Sequence, residues 1–332
     1  MSKRLLFWGL VLAVLPLATA NGNAQNPAAL LLERSVPLPG VQGRIDHMAF
    51  DSVDHRLFVA ALGNNTVEAI DVPSGVKTGT IRGLAEPQGL QYVPETQQLW
   101  IANGGDGTVR IFDVHSFQPI STLRLDGDAD NIRRDPATHQ IYVGYGEGGI
   151  AVFDTSGRKV ADVKLAAHPE SFQLEKDSPR MYVNLPEAHK VDVIDRRDAK
   201  VISSWQTADA QANFPMALDE GSGRLFVVCR KPALLLVMDT QSGAIVARLP
   251  TVGDSDDVAY DPQRKRIYVS GGEGAIAVYQ LQGRDRYAEI ARIPTVPGAR
   301  TSLLVPELNR IFVAVRQQGT VPAAIRIYTL GK

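Results

Sequence analysis

DNIRRDPATHQIYVGYGEGGIAVFDTSGRKVADVKL, residues 130–165, is the stretch that decides the fold. DNIRRD, IYVGY, IAVFD and RKVADVKL are short runs rich in β-branched and aromatic residues, and PATHQ, GEGG and TSG separate them. Turn-forming residues at that spacing spell four strands joined by three tight turns. The alternation in KVADVKL has a period of two, as in a strand packed on one face, and helical periodicity is absent.

Working outward, the IYV of this stretch recurs along the chain as LFV, LWI, IYV, MYV, LFV, IYV and IFV. The central aromatics are Phe58, Trp100, Tyr142, Tyr182, Phe226, Tyr268 and Phe312, spaced by 42, 42, 40, 44, 42 and 44 residues. A repeat of that length is a propeller blade. Asp71, Asp113, Asp154, Asp195 and Asp239 each close a third strand before a turn such as PSG, TSG or QSG. A carboxylate there bonds the amides of the turn, so these acids read as turn formers rather than metal ligands.

The last unit stops at Lys332 without a fourth strand, while LLLERSVPL stands unassigned ahead of the first. Residues 30 to 38 are therefore expected to complete the blade begun near residue 299, which removes the open edges of the sheet. The expected architecture is all-β: a seven-bladed β-propeller of four-stranded blades, one domain over residues 25–332, its ring closed by an N-terminal strand.

Lys3 and Arg4, then LLFWGLVLAVLPLA, then Ala18-Thr19-Ala20 have the layout of a secretory signal peptide over residues 1–20, with cleavage as late as residue 24. The expected location is periplasmic or secreted, with no membrane span. A single cysteine, Cys229, excludes an internal disulfide. With 35 basic and 36 acidic side chains and no basic run after the leader, a nucleic-acid partner is not expected. A closed ring needs no second copy to cover its edges, so a monomer is the simpler expectation.

MYVNLPEAHKVDVID, LWIANGGDGTVRIFD and IYVGYGEGGIAVFD resemble the YVTN-type β-propeller repeat over the whole chain after the leader. The threonine of the family name is missing from every blade, which marks a divergent branch. The resemblance implies a periplasmic or surface propeller, related in fold to propeller lactonases and lyases.

Aligned on the central aromatic, the blades agree everywhere except at the start of the innermost strand. Twelve positions before the aromatic stand Asp46, Gln88, Asp130, Glu170, Phe214, Asp256 and Arg300, and the next positions include His47, Asn131 and Asp257. Loops from the same face should add Asn184, Arg230, Lys231, Glu273 and Arg316. Polar groups converging at a channel mouth make a candidate ligand site. Asp130, Glu170 and Asp256, with Asn131 and Asn213, are oxygen donors of the kind that hold Ca2+ or Mg2+; the alternative is that the carboxylates pair with Arg230, Arg300 and Arg316. His47 and His168 are the candidate general acid and base. Asp46, Gln88, Asn131, Asn213, Arg230, Asp257, Arg300 and Arg316 are the candidate ligand-binding residues, the arginines suiting a carboxylate or phosphate. Phe214 and Tyr145 are candidates to stack on a ring or to fill space between blades. Two functions fit: binding a small anionic molecule or a protein partner at the mouth, or metal-assisted hydrolysis or lysis of a lactone or sugar acid there.

Overall fold

In the computed structural model, which describes residues 28–331, the repeated triplet builds the seven cores of the molecule. Side chains alternate sides along a strand. Leu57 and Val59 therefore pack back against the seventh blade, while Phe58 between them packs forward against the second. Trp100 does the same from blade two to three, Tyr142 from three to four, and so on around to Phe312, which packs against blade one. All seven central aromatics are buried. The repeat is thus read out as one large ring per blade interface, which holds neighbouring sheets face to face.

Each blade is a four-stranded antiparallel sheet with its strands in chain order from the channel outward, except the last. There Ser302–Val305, Arg310–Val315 and Ala323–Leu330 are completed on the outside by Leu30–Leu38. The closing strand runs antiparallel to Ala323–Leu330, from Leu30 opposite Leu330 to Leu38 opposite Ala323, with a bulge between Leu32 and Arg34. Its Val36 and Leu38 are buried in the core between the last blade and the first. Beside the bulge, Glu33 accepts two hydrogen bonds from Arg310, 2.7 and 2.8 Å. The leader-like segment 1–20 lies outside the described residues, and among those described no helix is long and apolar enough to cross a membrane.

The turn aspartates do the work expected of them. Asp71 accepts from the Ser74 amide, Asp113 from Ser116, Asp154 from Ser156, Asp195 from Arg197 and Asp239 from Ser242. These bonds favour the charged form and hold all five carboxyls below their ordinary range.

Candidate functional site

Two kinds of loop on one face, those entering the innermost strand and those joining the second and third strands, bring the mouth residues together with residues at the start of the innermost strand itself. On blades three and four they frame a cavity of about 890 Å³. Tyr145, Gly146, His168, Glu170 and Phe214 are among its walls.

His168 and Glu170, in the wall of this cavity, cluster with Asp130 behind them, each offering one donor atom, with the three atoms within 4.8 Å of one another. Asp130 is buried; its Oδ2 accepts from the Asn131 side-chain amide at 3.2 Å, and its Oδ1 has no hydrogen-bond partner among the described residues. His168 Nδ1 lies 2.6 Å from the Gly146 carbonyl. A carbonyl only accepts, so Nδ1 donates to it, which leaves Nε2 as the ring nitrogen available to a ligand. Gly146 can serve because it has no side chain: its φ is +58°, and a Cβ would lie 2.2 Å from the Asp126 carbonyl oxygen. The Glu170 carboxylate has no hydrogen bond from any described residue.

These carboxyls are held in an unfavourable charge state. Burial, then the nearby Glu170, pushes Asp130 well above the ordinary aspartate range. Burial, then Asp256, pushes Glu170 up to about 7. A buried and a half-buried carboxyl, both raised by burial and by a neighbouring carboxylate, with one Asp130 oxygen and the Glu170 carboxylate lacking donors among the described residues, are the condition a bound cation relieves.

Asp256 does not join them. One of its oxygens takes the Arg230 guanidinium, and the other lies 2.8 Å from Arg300 Nε. Arg300 also donates to Asp254 at 2.9 Å. Of the three carboxylates expected to ligate a metal, this one is instead half of a paired charge network, and His168 stands in the cluster in its place. The same network occupies two of the three arginines expected to receive an anion. Arg230 lies 3.7 Å over the Phe214 ring, so that ring face is covered by protein. Arg316 makes no ion pair among the described residues; burial and the neighbouring Arg300 and Arg44 lower its pKa.

The remaining candidates divide between channel and scaffold. His47 sits inside the channel, with Nδ1 3.5 Å from Asp257 and Nε2 3.7 Å from Asp46. Burial opposes its charge, but Asp257, Asp46 and Asp130 together outweigh that and raise it to about 10. It is therefore a held cation at neutral pH rather than a free base. Asp46 also accepts from Arg44 at 2.8 Å, and burial raises its pKa. Asn213 is buried between blades, donating to Asn184 and to the Lys190 carbonyl, both at 3.0 Å. Gln88 donates to Asp128 at 2.7 Å. The Tyr145 hydroxyl donates to Asp162, with Lys159 and Lys164 against its ring. Asn131 is buried with its Oδ1 unbonded, beside the Asp130 cluster.

Fold and site together define a seven-bladed β-propeller with a carboxylate–imidazole cluster at one mouth of its channel. No protein-family model and no curated protein matches the chain. Among solved structures, it is similar to a chain of Kuenenia stuttgartiensis hydrazine synthase, with a TM-score of 0.75 and 18% identity, over 87% of this chain and 98% of that one. It is likewise similar to a chain of a mitotic checkpoint complex, with a TM-score of 0.77 and 14% identity, over 100% of both. At these identities the likeness is one of fold, and it carries neither protein's activity to this chain.

Proposed function

We propose that this chain is an exported, divergent YVTN-type propeller that holds one divalent cation at the channel mouth and uses it to bind and hydrolyse a small oxygen-rich ligand, such as a lactone. The observation that carries the reading is the clustering of Asp130 with His168 and Glu170, the latter two in the wall of a cavity of about 890 Å³. Three protein donors leave coordination positions for water and substrate, the arrangement of hydrolytic rather than purely structural metal sites. The imidazole in the set favours zinc or manganese over the calcium or magnesium that an all-oxygen set would suit.

In this reading Asp130 and Glu170 balance the charge of the cation, and the Gly146 carbonyl orients His168 through its Nδ1 proton. When bound, the cation supplies an activated water and polarises the ligand carbonyl. Asp126, Asp128, Glu147, Asp162 and Glu187 also line the cavity, against Lys159 and Lys164. That excess of acids favours a neutral ligand over a free anion.

The test is metal content by mass spectrometry on gently purified protein, with melting temperature before and after chelation, followed by lactone hydrolysis with zinc or manganese restored. About one equivalent of metal, lost in Asp130→Ala, with hydrolysis that follows the metal, is the expected result. Protein that neither retains nor is stabilised by zinc, manganese, calcium or magnesium would overturn the reading.

A further inference from the structure

Three residues further along the innermost strands the channel changes character. A second cavity, of about 560 Å³, is lined by all seven of these strands. At the level nine residues before the central aromatics, three consecutive blades present Gln91, Arg133 and Gln173, and the other four present Ala217, Ala259, Leu303 and Ala49. At this level one guanidinium faces apolar side chains on the opposite blades, while His47 and Asp257 line the same cavity two residues nearer the mouth.

Arg133 forms no ion pair among the described residues. Among the described residues its guanidinium makes one hydrogen bond, from Nη1 to the Ile132 carbonyl at 2.8 Å, and lies 5.6 Å from the Phe172 ring centre. No described carboxylate forms an ion pair with it. The two acids that act on it through space already have partners: Asp257, which lines the same cavity, lies beside His47 and accepts from the Ser302 amide at 2.7 Å, and Asp130 belongs to the mouth cluster. Gln91 and Gln173 donate to the carbonyls of Tyr92 and Met216, at 2.7 and 3.0 Å, which fixes them as neutral neighbours. Burial lowers the Arg133 pKa, and Asp257 and Asp130 offset this only through space. An arginine stays charged even so, and a half-buried guanidinium facing a cavity with no paired carboxylate is open to an anion.

We propose that the channel is an anion site in which Arg133 holds one small oxyanion, of the size and planarity of a monocarboxylate, by its unused forked N–H donors. The apolar side chains of Ala217, Ala259 and Leu303 suit the methyl end of such a molecule. This site is separate from the cation cluster and does not depend on it.

Acetate titrated calorimetrically into the chelated full-length mature protein tests the proposal, with chloride as the spherical comparison. Wild-type protein should bind about one acetate, more tightly than chloride. Arg133→Gln should weaken binding by roughly 10-fold or more, the loss of about 1.4 kcal/mol or above. Arg133→Lys keeps the charge without the fork, so it should bind acetate more weakly than wild type but more tightly than Arg133→Gln. It also decides the matter should Arg133→Gln fail to fold, since acetate binding as tight as wild type in Arg133→Lys would refute the forked contact. Arg316→Gln, at the mouth, should bind acetate as wild type does; loss of binding there instead would place the anion at the mouth and overturn the proposal. No acetate binding to wild-type protein would overturn it as well, whatever the fate of the metal.

Discussion

Glu170→Gln should shift stability in opposite directions with and without a divalent cation. The Glu170 carboxyl stands at about 7 in the folded protein, against an ordinary value of 4.5. Its folded value is the higher one, so the unfolded chain releases the proton first. Folding is therefore penalised as pH rises from 4.5 through 7, and the penalty is complete above that. The gap corresponds to roughly 3.4 kcal/mol unscreened, and to about 1–3 kcal/mol for a half-buried side chain facing channel water. In chelated protein at pH 8, glutamine removes the repulsion and should raise the melting temperature by about 2–5 °C for a domain of this size. In metal-saturated protein the same change removes a ligand. A cation at 100 times its dissociation constant stabilises by about 2.7 kcal/mol, so the variant should then melt below wild type. Calorimetric melts of both proteins, with chelator and with zinc or manganese, at pH 8 and pH 5, give the comparison, and the chelated difference should shrink at pH 5. Equal destabilisation in both conditions would refute the reasoning, because it would make Glu170 a structural residue. Equal stabilisation would leave the repulsion and remove the cation.

His47 is raised from 6.5 to about 10, so its contribution to stability is complete below pH 6.5 and is lost as pH rises toward 10; His47→Gln should flatten that alkaline loss, roughly 2–4 kcal/mol after screening, in melts from pH 6 to 10.5. Asp256→Asn strands Arg230 and Arg300 and should cost about 2–4 kcal/mol in urea unfolding while leaving metal content unchanged, since breaking a paired charge leaves its partner uncompensated. Leu38→Ala, in the ring-closing strand, should cost about 2–4 kcal/mol by the same measurement. Deleting residues 28–38 should expose the edge of Ala323–Leu330 and produce aggregation visible by light scattering.

The candidate site was legible to the level of a position in the repeat and no further. Twelve positions before each aromatic, the blades diverge in favour of polar residues, and that is where Asp130, Glu170 and Asp256 were found. Their roles could not be read from spacing. Asp256 lies within reach of two arginines whose long side chains have several acids to choose from, so its pairing is a matter of rotamers and loop paths. His168 precedes Glu170 by two residues, and it faces the cluster only because a carbonyl from a loop of the preceding blade, at Gly146, fixes its ring. Arg133 was missed altogether. Its signal was present, as the one charge at a level where the other blades carry alanine, glutamine or leucine, but isolation from a counter-ion is a property of three dimensions.

Strand content, blade number and ring closure were all determined by local regularities: a period of two, turn residues at fixed offsets, and a large ring every 40 to 44 residues. Such features repeat seven times, so each blade independently reports the same backbone, and the unmatched strands at the two chain ends have one another as partners. The chemistry of the mouth and channel occurs once. It depends on which unlike side chains, drawn from different blades, come within a few ångströms of each other, and on how burial then redistributes their charge. Only the packing of blade on blade brings those residues together, so only the tertiary structure could decide that Asp130, His168 and Glu170 form one cluster while Arg133 pairs with no described carboxylate.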